Sequence, residues 1–247
     1  MNTLKIAVAG GTGVVGKHVV DLARGRGHDV LVLTRSNGVD LVDGTGLDDA
    51  LAGVDVVVDV ASTQTMSAKE SVRFFTSVTA HLLRAEHNAG VRHHVALSIV
   101  GVDEAPYSYY AGKVAQEQAI RDGDIPWTIL RATQFHEFAE QLVERTTLGP
   151  LVVVPRMRSM PVAARDVART LVELAEGTPA GKVPDLGGPR EERMVDMVRT
   201  HVATLHGRHW VVEVPVPGAY GRAMRDGTLV PGADADHAST TFADRLG

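Results

Sequence analysis

Cysteine is absent from the 247-residue chain, which excludes disulfide frameworks, zinc–thiolate sites, iron–sulfur clusters and thiol nucleophiles, and fits a reducing, cytoplasmic setting. Positive charge is also short: 25 Lys and Arg against 30 Asp and Glu leave a formal net charge of -5. No basic field is therefore available to neutralise nucleic-acid phosphates, and no nucleic-acid partner is expected. No stretch reaches the roughly 18 uncharged apolar residues of a membrane span. The apolar start Leu4 to Ala9 runs into glycines instead of a signal-peptide core, so a chain neither membrane-bound nor exported is expected. A G-x-S-x-G elbow is missing, and His136-Glu137 lacks the second histidine of H-E-x-x-H, which leaves no hydrolase or zinc-protease motif. Among the 11 histidines, the adjacent His93 and His94 point to opposite faces of a strand, and His81 and His87 do not share a helix face; no metal site is expected. Repeats, low-complexity tracts and long polar linkers are missing too, so one domain spans 1–247.

What is present is a globular composition, 44% hydrophobic and 22% charged, arranged as short β-branched runs alternating with amphipathic stretches. That pattern predicts βαβ units and an α/β fold built on a parallel sheet. Predicted strands are Leu4–Ala9, Asp29–Thr34, a short Val39–Val42, Val54–Val60, His93–Val100 and Trp127–Arg131. Val15, Val19, Leu22 and Ala23 share one helix face that Gly25 or Gly27 ends; Val72, Phe75, Val78, Leu82 and Leu83 share another, before Asn88-Ala89-Gly90. Beyond Pro150 the chain turns to short Pro/Gly-punctuated elements, including Leu151–Val154 and a helix carrying Val167, Leu171, Leu174 and Ala175. This predicts a core over 1–150 and, over 151–247, mainly a smaller substrate-side lobe that does not fold alone.

Between the first strand and first helix lies Gly10-Gly11-Thr12-Gly13-Val14-Val15-Gly16. It satisfies G-x-G-x-x-G and G-x-x-G-x-x-G together, and both place backbone N–H groups and a helix N-terminus against a pyrophosphate. Gly11, Gly16 and Lys17 also fit a Walker loop, but His18 stands where Ser or Thr must bind magnesium, which disfavours a nucleoside triphosphatase. The end of the second strand reads Thr34-Arg35-Ser36, with Arg35 19 residues beyond Gly16 and no acid for a ribose hydroxyl. A guanidinium there suits a 2′-phosphate, so NADPH/NADP is preferred over NAD, the alternative being a solvated surface arginine. Tyr109 and Lys113 stand at i and i+4 on a helix that follows the strand bearing Ser98, placing phenol and ammonium on one face toward the carboxyl ends of the strands. A nearby lysine lowers a phenol's pKa toward useful acid–base range, and Ser98 is placed to hydrogen-bond a reacting carbonyl or to be a satisfied strand-end hydroxyl.

The glycine loop, Thr34-Arg35, the Tyr109–Lys113 spacing and the run Ile125 to Phe135 together resemble the NmrA-like branch of atypical short-chain dehydrogenases/reductases, over nearly the whole chain. Pro161 to Ala168 and the tail Thr241 to Gly247 add weaker likeness. The resemblance implies a Rossmann-type doubly wound sheet holding NADPH, with Lys113 at the nicotinamide ribose, Tyr109 as proton donor and Ser98 assisting. It also implies Ala132, Thr133, Gln134 and Phe135 beside the nicotinamide, Ala61 and Ser62 at the adenosine ribose and Asp43 at the adenine. Phe135, Phe138 and His136 are the substrate-side candidates, whereas Trp127 reads as core. Three activities fit. The first is a reductase of a small carbonyl, quinone or conjugated substrate; the second is a redox sensor that binds NADP(H) and reports to a protein partner; the last is a nucleotide-sugar epimerase or dehydratase, for which the second half is small. A monomer or homodimer is expected.

Overall fold

The computed structural model describes residues 3–205 and 209–246, so the Gly247 end of the expected tail motif lies outside the described residues. Five strands come first in the chain, β1 (Lys5–Ala9), β2 (Asp29–Leu33), β3 (Val56–Asp59), β4 (His93–Ile99) and β5 (Trp127–Ala132). All pair in parallel, in the order β5-β4-β3-β1-β2. Their connections are α1 (Val14–Gly25), the short α2 (Leu47–Ala50), α3 (Ala68–Ala89) and α4 (Tyr109–Asp122). The order reverses between β1 and β3, which opens a crevice at the carboxyl ends of the strands.

Alternation along each strand assigns its residues to two cores. Val8, Val58, Val95 and Leu97 pack with Val15 and Val19 of α1, whereas Ala7 and Val57 face Val78 and Leu82 of α3. Against α4, Ala96 and Ile129 pack with Ile120. Helices α3 and α4 approach closely because residue 112 is glycine: a Cβ there would lie 2.6 Å from both the Ser71 carbonyl carbon and Phe75.

The predicted strand Val39–Val42 does not form. Asp40 instead accepts from Val42 N at 2.8 Å and exchanges backbone hydrogen bonds with Gly44 and Thr45. Gly44 takes φ +82, and the segment closes as a turn before it can pair.

The second half divides between two places. Helices α5 (Glu137–Thr146), α7 (Met194–Ala203), α8 (Gly218–Asp226) and α9 (Phe242–Leu246) build the lobe, together with strands β6 (Thr147–Leu148), β7 (Leu151–Pro155), β8 (Arg158–Ser159), β11 (Glu192–Arg193) and β12 (Trp210–Val214). Its core of Met157, Met194, Met197 and Met224 includes Val102 and Tyr110 from the first half. Helix α6 (Ala164–Glu176) and strands β9 (Gly181–Lys182), β10 (Leu186–Gly187) and β13 (Asp236–His237) return to the main sheet, beyond β5, and α6 packs on α1. Residues 151–247 thus supply most of the lobe and also α6, which packs with α1 on one face of the main sheet.

Two adjacent histidines on β4 sit in opposite environments. His94 pairs with fully buried Glu86 at 2.8 Å, which raises its pKa, whereas burial and the charge of His94 push His93 down to about 4, with its ring on Thr128 Oγ1 at 2.8 Å. His93 is neutral in the fold and takes a proton near its ordinary value when unfolded, so its contribution is present above pH 6.5 and lost as pH falls toward 4. His94 acts with the opposite sign, its contribution being lost as pH rises through its raised value. We expect His93→Gln to remove at most about 3 kcal/mol of the pH dependence of unfolding between 6.5 and 4. Urea titrations across that range check this; a difference independent of pH would refute it.

Candidate active site

The loop after β1 leaves no room for side chains. Gly10 has φ +79, and a Cβ on it would lie 2.6 Å from Val60 O and 2.8 Å from Ala61 Cα; a Cβ on Gly16 would collide with Gly10 O. Gly11 packs under Val32 in the same way, while Thr12 and Gly13 are exposed at the tip. Gly13 caps α1 without a side chain, no acid occupies the first turn, and the half-buried Val14 and buried Val15 carry the turn into the core. The positive helix end thus faces the crevice unneutralised, over a surface of bare backbone, and a pyrophosphate fits there.

At the end of β2, Thr34 Oγ1 and Ser36 Oγ lie 2.9 Å apart across a single 3₁₀ turn, Arg35–Asn37. Arg35 is exposed and, among the described residues, has no ion-pair partner. Asp43 is exposed and its carboxylate accepts from Thr45 N at 2.9 Å, which lowers its pKa. Ala61 backs the loop at Gly10, and its N–H donates to Asp59 Oδ1 at 2.9 Å. Ser62, expected beside the ribose, stands 2.9 Å from Tyr109 Oη. The stretch from the end of β3 to α3 crosses to α4 here, held by Ser108 Oγ on Met66 O at 2.6 Å and by Ser71 Oγ on Tyr109 O at 2.7 Å.

Tyr109 opens α4, its ring edge-on to Phe75 at 5.5 Å. Burial raises its pKa, with Asp59 adding to the rise and the Ser62 hydrogen bond opposing it. The lowering expected from Lys113 is not found. Lys113 is buried, and its ammonium donates to Leu97 O at 2.7 Å and Gln116 Oε1 at 2.6 Å, 4.5 Å from the centre of the Phe75 ring. Burial pushes it down to about 8 against the pull of Asp59 and Glu117. Gln116 passes its amide to Asp59 Oδ2 at 2.8 Å, so Lys113, Gln116 and Asp59 form one buried chain from α4 to the end of β3. Ser98 lies on the α4 face of β4 by alternation with Ala96, and its buried Oγ has no hydrogen-bond partner. Asp59 and Gln116 escaped the sequence reading, although a lone acid ending Val56-Val57-Val58 and an amide three residues after Lys113 were available signals.

At the end of β5, Ala132 and the following Thr133 are buried, with Thr133 N on Leu186 O at 3.0 Å. Gln134 Nε2 donates to Tyr110 Oη at 3.1 Å, and its Oε1 accepts from Ser159 Oγ at 2.7 Å, tying the loop to α4 and β8. Phe135 bridges to Val162 and packs beside the α1–α6 core, while Phe138 packs against the lobe. His136, expected on the substrate side, is 0% exposed: its Nε2 stands 3.1 Å from Pro161 O, and its ring meets Phe242 of α9 edge-on at 5.6 Å. The C-terminal helix covers the position, which residue spacing alone could not foresee.

Residues 10–178 match the protein family described as NAD(P)H-binding. Over 145 residues the chain is 34% identical to (4-alkanoyl-5-oxo-2,5-dihydrofuran-3-yl)methyl phosphate reductase of Streptomyces griseus, covering 53% of this chain and 48% of that protein. Over 226 residues it is 24% identical to the chloroplastic divinyl chlorophyllide a 8-vinyl-reductase of Zea mays, covering 74% of this chain and 55% of that protein. The chain thus spans about half the length of these curated relatives. In three dimensions it is similar to a short-chain dehydrogenase/reductase superfamily protein from Agrobacterium tumefaciens with bound NAD. The TM-score is 0.69 at 22% identity, covering 98% of this chain and 94% of that one, a likeness of fold. Among the described residues, no helix is long and apolar enough to cross a membrane.

Proposed function

Because the chain belongs to the NAD(P)H-binding family, we propose that it is an NADPH-dependent reductase of the atypical short-chain dehydrogenase/reductase type, acting on a small carbonyl, quinone or conjugated substrate in the cytoplasm. The observation that carries this reading is the Tyr109 hydroxyl, held by Ser62 at 2.9 Å at the crevice onto which the bare glycine loop opens. Two of the similar proteins bear the name reductase, which supports the same direction of chemistry.

The dinucleotide, when bound, supplies a hydride. Gly10 to Gly16 would hold its pyrophosphate, Lys113 its nicotinamide ribose, and Ala132 to Phe135 the side of its nicotinamide ring. Tyr109 keeps its proton at neutral pH because burial raises its pKa, and so stands as the acid for a developing oxyanion. Ser98, with an unspent hydroxyl, would donate a second hydrogen bond, and Phe135 and Phe138 would border the substrate. The inward-bound Lys113 is the observation that favours the alternative, a non-catalytic NADP(H) sensor with a protein partner. Steady absorbance assays with a panel of quinones and enones separate the two: no turnover, with unequal affinities for the oxidised and reduced cofactor, would favour the sensor.

Arg35, exposed beside Thr34 and Ser36, is the residue we assign to the 2′-phosphate. Losing one charge-assisted, forked contact costs about 1.5–3 kcal/mol, so Arg35→Ala should weaken NADPH binding roughly 10- to 150-fold. NADH affinity should stay unchanged in the same calorimetric titrations. Equal losses for both, or none, would overturn the preference for NADPH.

A further inference from the structure

A cavity of about 480 Å³ lies in the lobe, away from the glycine loop, between the turn joining β7 to β8, strands β11 and β12, and α8. Four arginines line it: Arg156, Arg158, Arg193 and Arg225. Only two carboxylates do, Glu191 and Glu213, so its walls carry two positive charges in excess. We propose that this cleft binds a phosphoryl-bearing anion.

The acids organise the arginines without using them up. Glu213, largely withdrawn from solvent, takes Arg156 through Nε alone at 3.0 Å and Arg193 through Nη2 at 3.2 Å. Glu191 takes Arg158 through Nε and Nη2 at 2.6 and 2.9 Å, while Arg158 Nη1 reaches Asp226 O at 3.4 Å. Arg225 has no acid partner among the described residues; its Nη1 donates to Val216 O at 2.7 Å. Asp196, outside the lining, is 3.8 Å from Arg193 but is shared with Arg199 at 3.1 Å.

A guanidinium carries five N–H donors, so Arg156, Arg193 and Arg225 each retain donors for a further acceptor. Planar forks converging on one space match the tetrahedral oxygens of a phosphoryl group, and the cavity lies within the size range of small-ligand sites. Met157, otherwise buried in the lobe core, lines the same cavity and suits the organic part of an ester. Next to Arg158, Ser159 bonds Gln134, which bonds Tyr110, so β8 runs from this cleft to the loop beside the crevice.

The test is calorimetric titration of the full chain with phenyl phosphate and with inorganic phosphate, each without NADPH and at saturating NADPH. One equivalent should bind in both conditions, and Arg225→Gln and Arg193→Gln should each weaken it about tenfold or more, leaving NADPH affinity unchanged. Tighter binding of phenyl phosphate identifies an organic ester as the ligand; equal binding identifies the free anion. Absence of phosphate binding at saturating NADPH, or binding that both variants leave intact, overturns the inference. That failure leaves the reductase reading standing, whereas wild-type protein that binds no NADPH would defeat the reductase reading alone.

Discussion

Tyr109→Phe should lower turnover by roughly 10²- to 10⁴-fold, the range attributed to a positioned proton donor, while NADPH affinity changes by less than about twofold. Phenylalanine keeps the ring that meets Phe75 edge-on and loses only the hydroxyl that Ser62 holds, so the fold and the cofactor cradle should be undisturbed. The loss should fall on kcat in steady-state assays, because the hydroxyl acts on charge that develops in the transition state. Retained kcat would remove Tyr109 from the chemistry. Ser62→Ala should give a smaller loss, since the phenol then keeps its proton but loses its orientation.

Glu117→Ala should destabilise the fold by about 3–5 kcal/mol, the cost of breaking a buried ion pair by removing one partner. The Glu117 side chain is 2% exposed and holds Arg131 Nη2 at 2.6 Å, with Arg121 on the same oxygen; Arg131 is itself 4% exposed. Without Glu117, the buried Arg131 guanidinium keeps, among the described residues, only Asp103 as an ion-pair partner, and that side chain is 58% exposed. Chemical unfolding monitored by circular dichroism reads the change directly, and a loss under about 1 kcal/mol would show that solvent replaces the carboxylate at no cost. The same measurement on Tyr109→Phe should show almost no change, which separates a residue of the fold from a residue of the chemistry.

Local features were legible from residue order. The glycine loop, β1 to β5 and α1, α3 and α4 lie where spacing placed them, because a strand or helix announces itself by period and by its capping residues. Ser67, accepting from Glu70 N, and Gly90 at φ +70 bound α3 in this way. Counting from Gly16 places Arg35 just past the end of β2, where it lies, since the β1–α1–β2 unit has little freedom in length. Val39–Val42 was misread because an Asp side chain competing for its own backbone overrides an apolar pattern four residues long.

What residue order determined by itself was therefore a parallel α/β sheet with a dinucleotide cradle and a Tyr109–Lys113 pair on one helix. Tertiary structure alone decided the partners: Ser62 with Tyr109, Gln116 with Asp59, His136 beneath Phe242, and four arginines around one cleft. Backbone periodicity is set within a dozen neighbouring residues, whereas these contacts join elements tens of residues apart. Their geometry depends on strand register and helix packing, which no local pattern contains.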